Sequence, residues 1–176
     1  MFSHETIITS GTQVLYKDKG RKFYGYAIPI KTAKEVKETL EILKRKHSNA
    51  GHFCYAYQIG VEQIKFRAND DGEPNNSAGM PIYGQLQSFN VTNVLVVVVR
   101  YFGGTLLGVS GLINAYKKAA IDAISQANIV THVLEENYFL SFDYPLQNPI
   151  MRIINDENLT LIQSTFGMKC EVEIGI

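Results

Sequence analysis

The run Val-Leu-Val-Val-Val-Val at residues 94–99 constrains the fold more than any other part of the chain. Its β-branched side chains favour an extended strand, and six apolar residues in a row are typical of a strand that is buried on both faces. The run is far too short to cross a bilayer, which takes about 20 apolar residues in a helix. We therefore predict that residues 94–101 form the central strand of a sheet inside a globular domain.

The sequence on either side of this run alternates between strand and helix patterns. Thr32 followed by Glu35 fits a capping box, in which the two side chains bond the free N–H groups at a helix start. The residues that face one side of the segment 52–59 are aromatic or aliphatic, which indicates a half-buried strand. The predicted strands are 6–16, 22–30, 52–59, 61–67 and 94–101, and the predicted helices are 32–47, 77–87 and 110–128.

A second unit with the pattern β-α-β-β follows Asn128. Residues 137–144, 159–166 and 168–174 are predicted strands, and residues 145–157 are a predicted helix. A four-stranded ferredoxin-like module needs one more helix and strand, so we expect an incomplete module, either shortened at its end or reduced. We place the domain boundary after residue 130, which gives domains 1–130 and 131–176.

The overall charge excludes a globally basic nucleic-acid-binding protein. Lys+Arg and Asp+Glu both number 17, so any binding of a polyanion must come from a local patch. Cys54 and Cys170 have no metal-ligand spacing, which favours a reduced, cytoplasmic setting. We predict no cofactor, no metal and no membrane segment.

The glycine loop after the central strand leads into a helix, as in phosphate-binding loops. Gly103-x-x-x-x-Gly108 is followed by Val109 and Ser110, so the lysine of an ATP or GTP P-loop is missing and no P-loop nucleotide is predicted. The free N–H groups of a helix start can still hold an anion.

Arg100 ends the apolar strand and is followed by two aromatic residues, a combination used for phosphate contact and base stacking. The alternative is that the aromatic residues belong to the core and that Arg100 caps a carbonyl or pairs with a carboxylate. Lys19 and Lys22 belong to a small basic cluster in the first hairpin. The candidate anion- or RNA-binding residues are Arg100, Tyr101, Phe102, Gly103, Gly104, Gly108, Ser110, Lys19 and Lys22.

The polar loop at residues 68–79 carries three carboxylates, from Asp70, Asp71 and Glu73. They could bind a metal or perform acid–base chemistry with His52, or they could belong to a solvated turn. A third interpretation is that one acid pairs with Arg100 and orders the glycine loop. Asp70, Asp71, Glu73 and His52 are therefore the catalytic candidates. His52 and Cys54 share a strand face, where a core cysteine is favoured over a nucleophilic dyad.

Two long motifs resemble those of a known family. DDGEPNNSAGMPI at 70–82, followed by NVLVVVVRYFGGTLLGVSGLINAY at 93–116, resembles the signature of the YigZ/IMPACT family. KGRKFYGYAIPI and HSNAGHFCYAY resemble its earlier motifs. The resemblance implies a first domain like the second domain of ribosomal protein S5, a two-layer α/β sandwich, followed by the ferredoxin-like module of bacterial members. It also implies a link to translation, which eukaryotic relatives regulate under stress.

Together these features favour a binding protein over an enzyme. The leading hypothesis is an RNA- or ribosome-associated protein with a role in translation regulation, with a protein partner in translation control as a further possibility. It predicts that Arg100→Ala weakens binding without unfolding the protein. One alternative is a small metal-dependent hydrolase that uses the acidic loop. Another is a protein-interaction adaptor that uses the strand face of Phe53, Tyr55 and Tyr57.

Overall fold

The computed structural model describes residues 2–7, 11–103 and 107–176, which form two compact units. The larger unit is His4–His132, and the smaller one consists of Val133–Ile176 with Met1–Ser3. The strands are β1 Phe2–Ile7, β2 Val14–Asp18, β3 Arg21–Pro29, β4 His52–Ile59, β5 Lys65–Asn69, β6 Val94–Tyr101, β7 Ile129–Leu134, β8 Asn137–Asp143, β9 Thr160–Thr165 and β10 Lys169–Gly175. The helices are α1 Ala33–Lys46, α2 Gly79–Ser88, α3 Gly108–Ser125 and α4 Gln147–Asp156, with a short 3-10 helix at Tyr144–Leu146.

The apolar run lies at the centre of a five-stranded sheet in the larger unit, as predicted. The strand order is β2-β3-β6-β4-β5, and every neighbouring pair is antiparallel. Residues 94–99 are fully buried because helices cover both faces of the sheet at this strand. The central strand thus ends at Tyr101 inside the unit, where it can position the side chains of a site.

Two separate hydrophobic clusters cover the two faces of this sheet. On one face, Val96, Val98 and Ala56 pack with α2 and α3. On the other face, Val97 and Phe53 pack with α1. Helix α1 therefore adds a third layer to the two that the family resemblance implies.

Helix α1 begins at the predicted capping box. Glu35 N–H donates to Thr32 Oγ1 at 3.4 Å, and the Glu35 carboxylate accepts from Lys31 N–H at 3.2 Å and from the Thr32 hydroxyl at 3.0 Å. Satisfying these orphan groups stabilises a helix start by about 1 kcal/mol. The cap fixes where the chain enters the helix that covers the second face.

Three predicted boundaries differ clearly from the structure, and α3 begins two residues and ends three residues earlier than predicted. The expected strand at 6–16 is wrong, because β1 ends at Ile7 and residues 11–13 are irregular, while residues 8–10 lie outside the described part. The hairpin partner of β4 begins at Lys65 rather than at residue 61. Gly60 is held in the connecting loop, since it accepts from Thr92 Oγ1 at 2.6 Å and donates to Asn93 Oδ1 at 2.9 Å. The segment between the last predicted helix and the predicted strand at 137–144 contains a further strand, β7, which pairs with β1.

The smaller unit has the predicted β-α-β-β order. Its sheet is antiparallel with the order β8-β10-β9, so the last strand lies in the middle. Ile154 of α4 packs against Val172 and Ile174 of β10 to form a small core of its own. The mixed α+β class that the sequence predicts is thus present in both units. Among the described helices, none is long and apolar enough to cross a membrane.

Candidate functional site

The end of the central strand brings motif residues from distant parts of the chain together. Arg100 of β6 pairs in register with Phe23 of β3 on one side and with His52 of β4 on the other. Residues paired in this way share a face of the sheet, so all three side chains lie on the face covered by α3. The acidic loop between β5 and α2 reaches the same place.

A buried ion pair joins the acidic loop to the strand end. Arg100 Nη1 donates to Glu73 Oε1, and the Tyr116 hydroxyl of α3 donates to the same oxygen at 2.7 Å. The side chains of Arg100 and Glu73 are only 8% and 4% exposed. The interpretation in which an acid of the loop pairs with Arg100 is therefore confirmed, and Glu73 is that acid.

The other two carboxylates hold the loop itself. Asp70 accepts N–H bonds from Asn76, Ala78 and Gly79 at 2.8 to 3.0 Å, and the last two lie at the start of α2. Asp71 accepts from Phe53 N–H of β4 at 2.6 Å. The three acids thus bond different groups, and in the described part of the chain no three His, Cys, Asp or Glu residues could hold a metal ion.

His52 is fixed in one tautomer by the acidic loop. Its Nδ1 lies 2.8 Å from the Asp71 carbonyl oxygen, which can only accept, so Nδ1 carries the proton. The other ring nitrogen, Nε2, lies 3.8 Å from Glu73 Oε1, too far for a hydrogen bond. His52 Nε2 therefore lies beside the Arg100–Glu73 pair without a hydrogen-bond partner among the described residues.

A pocket of about 340 Å³ opens between these groups and the start of α3. Its polar wall is His52, Glu73 and Arg100, whose Nε is buried and has no hydrogen-bond partner among the described residues. Among the described residues, which exclude 104–106, no side chain caps the first turn of α3, and the backbone N–H groups of a helix start can bind an anion. The remaining lining residues are Pro74, Phe102, Leu107, Gly108, Val109 and Leu112.

Cys54 is a structural residue. Its thiol donates to the Asp70 carbonyl at 3.0 Å, and Tyr116 Oη lies 3.3 Å from the sulfur. Burial raises the pKa of Cys54 strongly, and the nearby carboxylates of Glu73, Asp71 and Asp70 add to the effect. Burial likewise raises the pKa of Tyr116. A thiol kept in its neutral form is a poor nucleophile, which agrees with the favoured interpretation of Cys54 as a core residue.

The aromatic pair after Arg100 is divided between the two faces of the sheet. The Tyr101 hydroxyl bonds His47 Nδ1 at 2.8 Å on the α1 face, away from the pocket. Phe102 is 67% exposed and lies at the pocket mouth, with the Arg100 guanidinium carbon 5.2 Å from its ring centre. Only Phe102 is therefore placed to stack on a ligand in the pocket.

The remaining candidates lie around the glycine loop. Gly103 passes so close to the first hairpin that an added Cβ would meet the Gly20 carbonyl oxygen at 2.7 Å. Gly108 has φ +70°, a conformation that favours glycine, and opens α3. Ser110 is exposed in the first turn of α3. Lys19 and Lys22 are exposed in the hairpin, and Gly104 lies outside the described residues.

Sequence reasoning missed a buried polar network on the opposite face. Tyr26 donates to Gln13 Oε1 at 2.6 Å, so its oxygen accepts from His47 Nε2–H at 2.6 Å, and His47 Nδ1 accepts from Tyr101. Burial lowers the pKa of His47, with Lys46 adding to the effect. The strand alternation could have placed Tyr26 and Tyr101 on one face, but nothing local signals that His47 joins them.

Comparisons with known proteins point to one family. Residues 19–124 match the family described as Impact N-terminal domain, and this range contains every residue that lines the pocket. IMPACT family member YvyE of Bacillus subtilis is 31% identical over 173 residues, which cover 98% of this chain and 79% of that protein. IMPACT family member YigZ of Escherichia coli is 32% identical over 134 residues, which cover 74% of this chain and 65% of that protein. A solved structure titled "Crystal structure of an hypothetical protein" matches all of this chain and 86% of its own, with a TM-score of 0.72 and 27% identity.

Proposed function

The chain belongs to the Impact N-terminal domain family, the YigZ/IMPACT family, and on this premise we propose that it is an RNA- or ribosome-associated binding protein with a role in translation regulation. The translational part of the proposal rests on the family resemblance, which implies a link to the regulation of translation. The binding part rests on the pocket at the start of α3. We further propose that the protein acts in the cytoplasm, where ribosomes are available as partners.

The observation that carries the binding proposal is the pocket into which α3 opens, at a helix start that no side chain in the described part of the chain caps. Glu73 neutralises most of the charge of Arg100, so Arg100 does not act here as a free cation. The positive potential comes instead from the N–H groups at the start of α3, together with the Nε–H of Arg100, which has no hydrogen-bond partner within residues 11–103 and 107–176. A phosphate oxygen at the helix start and a base against Phe102 fit these groups.

The same arrangement gives Glu73 and Arg100 a structural part in the proposed site. Their pair ties the acidic loop to β6, and Tyr116 ties both to α3. Because all three groups are buried, the pocket is preorganised, and little ordering entropy is lost when a ligand binds. Arg100→Ala is expected to unfold this region, contrary to the expectation from sequence, since it would leave the Glu73 carboxylate buried without its cation.

The proposal is tested with a substitution that changes the pocket mouth without disturbing the core. Val109 is 52% exposed in the first turn of α3, and Val109→Glu adds a negative charge that a helix start tolerates. We expect this variant to bind a labelled single-stranded oligoribonucleotide at least about fivefold more weakly than wild type at low salt. Ile64→Glu is the matched control, because Ile64 is 54% exposed in the β4–β5 hairpin and the charge change is the same.

Fluorescence anisotropy at low salt measures both variants against wild type. Weaker binding by Val109→Glu and unchanged binding by Ile64→Glu would support the pocket as the contact. Equal binding by the two variants would exclude the start of α3 as the RNA contact.

No observation favours the two alternative functions. The carboxylates proposed for a metal-dependent hydrolase are used by backbone N–H groups, Arg100 and Tyr116. The aromatic strand face proposed for an adaptor lies under α1, where Phe53 is 8% exposed and Tyr55 and Tyr57 pack against the cluster. We therefore keep a single proposed function, with protein partners in translation control as part of it.

A further inference from the structure

Four lysines from two distant parts of the sequence lie on the face of the larger unit that α1 covers. Lys17 and Lys22 come from the first hairpin, and Lys44 and Lys46 come from the last turn of α1. All four are exposed. We call these four residues the lysine strip.

The contacts of their neighbours place the four lysines at the same end of the sheet. Lys22 pairs in register with Tyr101, whose hydroxyl bonds His47 directly after α1. Lys46 Nζ lies 5.0 Å from the Tyr26 ring centre, and Lys44 Nζ lies 5.9 Å from the Phe53 ring centre. The hairpin lysines and the helix lysines therefore lie on either side of the buried hydrogen-bond network around His47.

The arrangement of Lys17 and Lys22 is unfavourable for the folded protein by itself. The two residues are direct cross-strand partners, and their side chains point to the same face. Like charges opposite each other on neighbouring strands repel and destabilise the pair. Among the described residues, no carboxylate forms an ion pair with any lysine of the strip. The helix dipole accounts for basic residues in the last turn of α1, but it does not account for the hairpin pair.

We propose that the lysine strip binds the phosphate backbone of single-stranded RNA, an inference that rests on the proposed RNA-binding function and extends it to the second face of the sheet. Unpaired lysines gain free energy from phosphate because binding releases the counterions condensed on the nucleic acid. The net charge of the whole chain is zero, so this attraction is local to the strip.

A single strand fits this surface better than a duplex does. The strip and the pocket lie on opposite faces of the sheet, yet both adjoin residues 100–102 at the end of β6. A ligand that reaches both must bend sharply around the sheet end. A flexible single strand can do so, whereas a duplex is stiff over far longer distances. The contacts are to phosphate, so binding through the strip is independent of base sequence.

The test measures the salt dependence of RNA binding for two matched double variants. Lys22→Gln with Lys46→Gln removes two charges from the strip. Lys37→Gln with Lys117→Gln removes two charges from exposed lysines elsewhere on α1 and on α3. The probe is a fluorescein-labelled oligouridylate of about 20 nucleotides, titrated by anisotropy between about 50 and 200 mM salt.

For the strip variant we expect the slope of log affinity against log salt to become shallower by about 1.4, since each phosphate contact on a single strand contributes about 0.7. The affinity at the lowest salt should fall at least about tenfold. The thermal unfolding midpoint should stay equal or rise, because a repulsive pair has been removed. A role in folding alone would lower the midpoint and leave the salt slope unchanged.

The outcomes separate this inference from the proposed function. If wild type binds the RNA and the strip variant has the same affinity and salt slope as the control variant, the lysine strip is excluded as a contact for RNA. The proposed RNA-binding function is then unaffected. If wild type binds neither the oligonucleotide nor ribosomes, the proposed function fails and the strip fails with it. If the strip variant loses binding to vesicles of phosphatidylserine and phosphatidylcholine but keeps its affinity for RNA, the assignment to RNA is wrong.

Discussion

At the scale of single residues, the Glu73 carboxylate connects the acidic loop to both β6 and α3. It accepts from Arg100 and Tyr116, and the Glu73 side chain is only 4% exposed. Charge logic predicted that an acid of the loop could pair with Arg100, because an arginine at the end of an apolar strand needs a partner. The sequence could not say which acid, since that depends on how the loop folds back on β6.

Replacing Arg100 by Met should destabilise the protein by about 3 to 5 kcal/mol, because it leaves the Glu73 charge buried and without its cation. Arg45→Met is the control, since the Arg45 side chain is 79% exposed in an i,i+4 pair with Glu41 and should contribute less than about 0.5 kcal/mol. Urea unfolding followed by circular dichroism measures both. If the two variants lost similar amounts of unfolding free energy, the Arg100–Glu73 pair would not be buried in solution.

His47 makes stability depend on pH. Burial lowers its pKa in the folded protein below the ordinary value of 6.5, so the unfolded chain takes up a proton at a higher pH than the native protein does. The stability that neutral His47 contributes is present above the unfolded pKa and is lost as the pH falls through the folded pKa. We expect the drop in free energy of unfolding between about pH 7.5 and about pH 5 to be smaller in His47→Gln than in wild type. The same drop in both proteins would count against this assignment.

At the scale of elements, local patterns were enough wherever neighbours in sequence decide the structure. Strands β4 and β6 have the predicted bounds, and α1 begins at its predicted cap. The boundaries that failed depend on distant partners. Thr92 and Asn93 fix the loop after β4, and β7 becomes a strand because β1 pairs with it.

The structure of the acidic loop also depends on residues that are not neighbours in sequence, because Asp70 caps α2. The methyl side chain of Ala78 cannot cap this helix. The Asp70 carboxylate instead accepts hydrogen bonds from the N–H groups of Ala78 and Gly79. The residue pattern of this loop leaves three interpretations open, and only the hydrogen bonds in the structure assign each carboxylate to a partner. The loop therefore holds α2 and the pocket wall in place together.

Asp70→Ala should destabilise the protein by about 2 kcal/mol or more, since it removes a charged cap and leaves several N–H groups unsatisfied. Glu38→Ala is the control, because Glu38 is 58% exposed in an i,i+4 pair with Lys34 and should change stability by less than about 0.5 kcal/mol. Urea unfolding compares the two variants. A loss no greater than that of the control would mean that Asp70 does not cap α2 in solution.

At the scale of the whole molecule, the proposed function uses both faces of the sheet at the end of β6. One face offers the pocket at the start of α3, and the other offers the lysine strip. The family resemblance was available from the motifs, and the comparisons confirm it. The motif of Arg100, Tyr101 and Phe102 predicts one shared site, whereas the alternation of strand side chains places Tyr101 on the opposite face from Arg100.

The central claim, that this protein binds RNA or the ribosome, is tested most directly by cosedimentation of the full chain with purified ribosomes at low and high salt. The account predicts that the protein enters the ribosomal pellet at about 50 mM salt and leaves it as the salt is raised, because phosphate contacts release counterions. Prior treatment of the ribosomes with nuclease should abolish the cosedimentation. Absence from the pellet at low salt, or cosedimentation that neither salt nor nuclease changes, would contradict the account.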